Sequence, residues 1–232
     1  MINFLRKIRR QLLIENRTGK YLLYAIGEIV LVVIGILIAL TVNNSNEQRK
    51  ASNLESKILH EFVVSLNSDK EDILSNINTH IKGIESCGRL LKNKTDNIDT
   101  LKNDLGLSYS WTFLIADLSS YESLRSIGFQ LIKNDEIRHG ITKLYNVDYK
   151  TITEAENNHK RICILFDEKI DDKYVVDNNR TIFKEPNSTI INNLKISLRK
   201  LQNSHANMKN TYEIEVLHNI EDLISKINNE LN

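Results

Sequence analysis

Three histidines follow a glutamate at the spacing that helical bundles use for carboxylate-bridged metal pairs: Glu136-x-x-His139, Glu156-x-x-His159 and Glu215-x-x-His218. In such sites each pair rides on one helix and every ligand points inward. Apolar periodicity tests that condition. Ile137 marks a core face, and His139 stands two residues on, about 200° around the helix, so it faces outward. His218 stands in the same relation to Ile220. Only His159, between Ala155 and Ile162, falls on an apolar stripe. One inward motif lacks the ligand count for a metal pair. The expectation is no metal ligand and no cofactor, with His159 a hydrogen-bonded core residue.

Other reactive arrangements are missing too. The chain has no His-Glu-x-x-His, no Gly-x-Ser-x-Gly, no phosphate-cradling glycine loop and no Cys-x-x-Cys. No catalytic residue is expected, and the chain reads as a non-enzyme. Cys87 and Cys163 stand alone on different expected helices. They are either two buried free thiols or, outside the cytoplasm and in register, one disulfide.

The remaining chemical outlier is Glu28, the one formal charge in the 22-residue run Tyr21 to Val42, YLLYAIGEIVLVVIGILIALTV. At about 1.5 Å per residue that run is roughly 33 Å long, enough for a hydrocarbon core of about 30 Å. It is too long, and begins too late, for a cleaved signal peptide. An acid inside a span is a functional hypothesis by default. Glu28 shares a face with Leu31, Gly35 and Ala39, and Gly35 with Ala39 makes a small-xxx-small pair. Three readings stay open: a depth-setting acid, a helix-packing seam, or an ion path.

The cationic flank sets the orientation. Arg6, Lys7, Arg9, Arg10, Arg17 and Lys20 precede the span against one acid, Glu15, so the N-terminus stays cytoplasmic and the rest lies outside. Phe4, Leu5, Ile8 and Leu12 recur at helical spacing between those cations, so residues 1–20 read as a basic amphipathic segment on the inner leaflet, or a basic tail that only sets topology. Residues 21–42 are the transmembrane helix and 43–232 the outer domain.

That outer domain is long enough for one core of ordinary size. Net charge is +1, so no basic excess for nucleic acid remains beyond the N-terminal cluster. A single proline and eight glycines argue for long helices. Apolar stripes run from Leu54 through Ile58, Phe62, Leu66, Ile73, Ile77, Ile81 and Ile84 to Leu91, then from Ile137 to Ile170, from Ile190 to Leu201, and from Val216 to Leu231. Asn134 caps the second, and Asn187 or Ser188 the third. Between them lie a turn and short helix (93–106), an aromatic-rich stretch (108–117) expected to pack across helix ends, a short helix capped by Ser119 or Ser120 and ending at Gly128, and a polar loop (177–186). The expected fold is all-α: one N-terminal transmembrane helix followed by an antiparallel helical bundle.

The anchor KYLLYAIGEIVLVVIGILIAL with Asn-Asn after it and RKIRRQLL before it, together with Tyr121-Glu122-Ser123-Leu124, Ser126-Ile127-Gly128, Leu131-Ile132-Lys133-Asn134, Ile137-Arg138 and Leu144-Tyr145, resembles a family of small envelope proteins from Bacteroidota that carry only a domain-of-unknown-function label. Ser45 departs from that family's Asn-Asn-Trp. The resemblance implies a bacterial inner-membrane anchor with a periplasmic helical domain, and transfers no catalytic residue. Expected partners are the lipid bilayer and a second copy or other envelope proteins. Function classes follow in order: a self-associating interaction or scaffold module, then an envelope sensor that binds a small ligand in its outer bundle and signals through a partner.

Overall fold

A computed structural model describes residues 18–92, 98–171, 173–177, 180–184 and 187–232. The amphipathic segment expected at Phe4 to Leu12 lies outside these residues. The chain divides into two units, Met1–Leu54 and Glu55–Asn232. The second of these compact units begins at Glu55.

In the first unit, helix α1 (Thr18–Leu91) begins. From Leu22 on it contains a segment long and apolar enough to cross a membrane, none of it buried in protein. Leu31, Val32 and Leu37 stand exposed on three different sides of it, which no soluble core helix would tolerate.

The second unit rests on a seven-residue repeat. On α1 one series of buried positions steps by fours and threes: Glu55, Leu59, Phe62, Leu66, Asp69, Ile73, Asn76, His80, Gly83, Cys87 and Leu90, with Ile58, Ser65, Ile77 and Ser86 buried beside it. That period of 3.5 keeps one seam facing its partners. A second helical leg comprises α4 (Asp135–Lys143), a π-helical turn at Leu144–Asp148 and α5 (Tyr149–Asp171). Asn134 caps it, its side chain accepting from the Glu136 and Ile137 N–H groups. A third comprises α6 (Asn187–Asn210), a π-helical stretch at Thr211–Leu217 and α7 (His218–Leu231). The stripes expected separately at 190–201 and 216–231 thus belong to one leg. Both legs carry the same repeat, and both slip by one residue at the π turn. Ile141 to Tyr149 and Tyr212 to Ile220 are each eight apart, not seven. A π turn holds the additional residue.

Cross-contacts give the directions. Asp69 meets Tyr149 and His80 meets His159, so α1 and α5 run parallel. Gly83 lies under His205 and Lys70 bonds Glu221, so the third leg runs opposite to α1. Lys169 bonds Ser197 and His159 bonds Ser204, so it also opposes α5.

Two parallel helices adjacent in the chain need a return connection, and residues 98–134 make it. It holds α2 (Ile98–Ser108), an extended stretch, and α3 (Ser119–Ile127). The aromatic-rich stretch does not cross helix ends, as the sequence suggested. It runs back along α1: Thr112 meets Asn76, Ile115 meets Asp72, Asp117 meets Asp69, Ser120 meets Ser65 and Lys133 meets Glu55. Extended backbone has no internal partners, so buried side chains supply them. Glu156 accepts from Leu114 N–H at 2.7 Å, Asp69 accepts from Asp117 N–H at 2.7 Å, and Asn76 donates to Phe113 O at 3.1 Å. Counting this return, successive passes alternate in direction, but the return is not one continuous helix.

Two local expectations change. Neither Ser119 nor Ser120 caps α3: Asp117 accepts from Ser119 N–H, and Ser120 is buried against Ser65. Gly128 ends α3 at φ 116°, a left-handed geometry that favours glycine. A hairpin, β1 (Tyr174–Asp177) paired antiparallel with β2 (Arg180–Phe183), starts before the expected polar loop and occupies its first half. The fold remains all-α around this small ribbon.

Candidate functional site

The second unit has two apolar clusters. One includes Phe62, Ile77, Ile152 and Met208; the other includes Cys87, Cys163, Phe166 and Leu201. Along each long helix the buried side chains between these clusters are polar. On α1 that gap holds His80, on α5 Glu156 and His159, on α6 His205. The repeat puts all three histidines on the seam. His159 meets His80 and His205 edge to face, and His80 and His205 are tilted to each other, with centroids 4.5–5.2 Å apart.

The rings are sealed. His80 and His205 are fully buried and His159 is 1% exposed. One ligand nitrogen from each lies within 4.8 Å of the others, the one such group of three among the described residues. Gly83 makes room for this layer: a Cβ there would stand 2.4 Å from His205 ring atoms.

The end of α2 supplies carbonyls to the cluster. His205 Nε2 faces Ser108 O at 3.0 Å and His159 Nε2 faces Ser110 O at 3.2 Å. A carbonyl only accepts, so the facing nitrogen of His205 carries its hydrogen. Its Nδ1 lone pair then accepts from His80 Nδ1–H at 2.9 Å. His159 Nδ1 pairs with Ser204 Oγ at 2.7 Å. Five of six ring nitrogens are satisfied. His80 Nε2, fully buried, has no hydrogen-bond partner.

Cys163, one turn after His159, brings Sγ to 3.4 Å from His159 Nε2 and 3.7 Å from Ser110 O. Cys87 Sγ lies 3.9 Å from Ser108 O. Both cysteines are free and buried, so of the two arrangements open from sequence the structure has the thiols. Burial pushes both up to about 12. Burial, reinforced by the neighbouring imidazoles, holds His80 down at about 3 and His205 at about 4. Burial also lowers His159. At pH 7 the layer is uncharged.

Below it, Glu156 accepts from Tyr212 OH as well as from Leu114 N–H. Burial raises its carboxyl, and that of Asp69, which accepts from Tyr149 OH.

Placement of the other sequence candidates is simple. His139 and His218 are exposed, as their phase requires, and His159 is in the core. Glu28, Gly35 and Ala39 lie on the exposed apolar part of α1, and a Cβ at Gly35 meets nothing within 4 Å. The Glu-x-x-His spacing drew attention to His159 and away from His80 and His205. The usable signal was the seven-residue spacing Ile73–His80–Cys87 and Leu198–His205–Tyr212.

A surface cleft of about 280 Å³ lies between α4 and α7. Its charges pair with one another, Lys226 with Glu136 and Asp222, Lys143 with Asp148. No family model, curated protein or solved structure matches the chain.

Proposed function

We propose that the protein is a membrane-tethered interaction module, anchored once in a bacterial inner membrane with its helical body in the periplasm. The observation that carries the reading is the apolar surface of α1 between Leu22 and Val42, exposed on every side. Lipid is the partner such a surface fits. The cationic residues before it favour a cytoplasmic N-terminus. The likeness of the anchor and of the Tyr121–Tyr145 blocks to Bacteroidota envelope proteins supports the same placement.

A binding role for the helical body rests on where its chemistry lies. The histidine layer is closed to solvent, and the cleft at α4 and α7 is lined by mutually paired charges. A substrate reaches neither an activated nucleophile nor a free acid–base pair in these places. The module self-associates through Gly35 and Ala39, whose small side chains let a second helix approach closely.

Protease added to spheroplasts tests the placement, with in-cell cross-linking alongside. The expected result is loss of nearly everything after residue 50 and a cross-linked species at a multiple of the chain mass. A protected outer body overturns the orientation; a monomer under all cross-linkers overturns self-association.

A further inference from the structure

We propose that His80, His159 and His205, with Cys163 as fourth donor, form a closed site for one divalent transition-metal ion of the zinc class. The inference does not rest on the membrane-tether reading; it stands on the interior of the second unit alone.

Three imidazoles and a thiol are the donor set that a tetrahedral zinc-class ion takes, and a site sealed from solvent is of the structural type. Each imidazole comes from a different long helix, so one ion would join α1, α5 and α6. An ion about 2.0–2.1 Å from each nitrogen holds its ligands roughly 3.3–3.4 Å apart. The ligand nitrogens here lie within 4.8 Å, and Cys163 Sγ stands 3.4 Å from His159 Nε2. The widest pair of nitrogens would close by up to about 1.5 Å, and Cys163 Sγ, which stands outside that group of three, would swing in from beside His159.

The surroundings already provide what metal-bound histidines need behind them. A ligating imidazole donates its other N–H to a fixed acceptor, which sets its tautomer. Ser108 O does this for His205 Nε2, so the Nδ1 lone pair, which accepts from His80 in the ion-free layer, would turn to the ion and release that hydrogen bond. His159 Nε2, the nitrogen beside Cys163, faces Ser110 O in the ion-free layer; an ion would take its place there, with the ring hydrogen on Nδ1 and Ser204 Oγ as its acceptor. His80 is the ring whose hydrogen bonding is incomplete without an ion: its Nε2 is buried with no partner. A layer evolved only to serve the Ser108 and Ser110 carbonyls would need His205 and His159, but not a third imidazole.

The test uses the full-length protein in detergent, without a histidine tag, stripped with a chelator and then given cobalt(II) or zinc(II). The expected result is one ion per chain. Cobalt should show the intense visible bands of a tetrahedral site and a thiolate charge-transfer band in the near ultraviolet. Zinc at about a hundredfold excess over its Kd should raise the melting midpoint by about 5–10 °C. Cys163→Ser should lose the charge-transfer band. His80→Phe keeps a ring of similar size and should lose the ion while its stripped form still melts cooperatively. Absence of stoichiometric cobalt in the wild type overturns the proposal. So does binding that survives His80→Phe, which would place the ion at surface histidines such as His60 or His139. Should His80→Phe fail to fold, Cys163→Ser decides: an unchanged charge-transfer band overturns the site.

Discussion

At the scale of single residues, the histidine layer makes folding depend on acid. Unfolded histidine takes up a proton near 6.5, whereas folded His205 resists until about 4 and His80 until about 3. Between those values the unfolded chain binds more protons, so stability falls as pH falls. The buried carboxyls Asp69 and Glu156 act with the opposite sign, because their folded values are raised. Comparing metal-free wild type with His205→Gln cancels them. The wild type should lose more stability between pH 6.5 and 4, by up to about 1.4 kcal/mol per pH unit, read from denaturant midpoints at each pH. Gly83 is the steric counterpart. Alanine there gains up to about 1 kcal/mol of helix propensity but drives a methyl into the His205 ring. The net should be destabilising by about 1–3 kcal/mol, and a melting midpoint at or above wild type would contradict it. From sequence, His159 could be placed and its two companions could not. A stripe drawn through apolar residues alone skips Asp69, Asn76 and His80, which occupy seam positions without being apolar.

Among elements, the long helices are legible and the return leg is not. Ile58, Phe62, Leu66, Ile73 and Ile77 declare a helix face because burial repeats along one local segment. The stretch from Ser110 to Asp117 declares nothing locally, since its partners are Asp69, Asp72, Asn76 and Glu156, distributed over two other helices. It does alternate: Leu114 and Ala116 pack on the core while Trp111 and Ile115 face out. That period-two signal is short enough to pass for chance. The same distribution explains why so many polar groups are buried in a helical body. Glu156→Ala removes the acceptor for Leu114 N–H and for Tyr212 OH together. Two buried donors left unpaired should cost about 2–5 kcal/mol. Glu156→Gln keeps an acceptor oxygen and should lose less than half as much. Chemical denaturation of both variants checks the order; equal losses would mean the return leg is held by packing alone.

For the whole molecule, the candidate span and the second unit pose separate questions of stability. The candidate span buries nothing within the chain, so on the proposed reading its partners come from lipid or from another copy. Gly35→Ile fills the approach surface that glycine leaves open and should lower the cross-linked fraction several-fold, with the melting midpoint of the second unit unchanged; undiminished cross-linking would exclude the Gly35–Ala39 seam. Within the second unit, the two π turns are each a spare residue tucked into a widened loop of helix. Removing one there leaves both flanking halves in phase, so excision of Val147, half exposed in its π turn, should lower the melting midpoint by only a few degrees. Excision of the comparably exposed Val64 has no such slack to draw on. Everything after it on α1 would rotate by about 100°, carrying His80 and Gly83 out of the interior, and the cooperative transition should vanish. Length variation in this architecture is therefore confined by design to two sites, Leu144–Asp148 and Thr211–Leu217, while α1 tolerates changes of side chain but not of count.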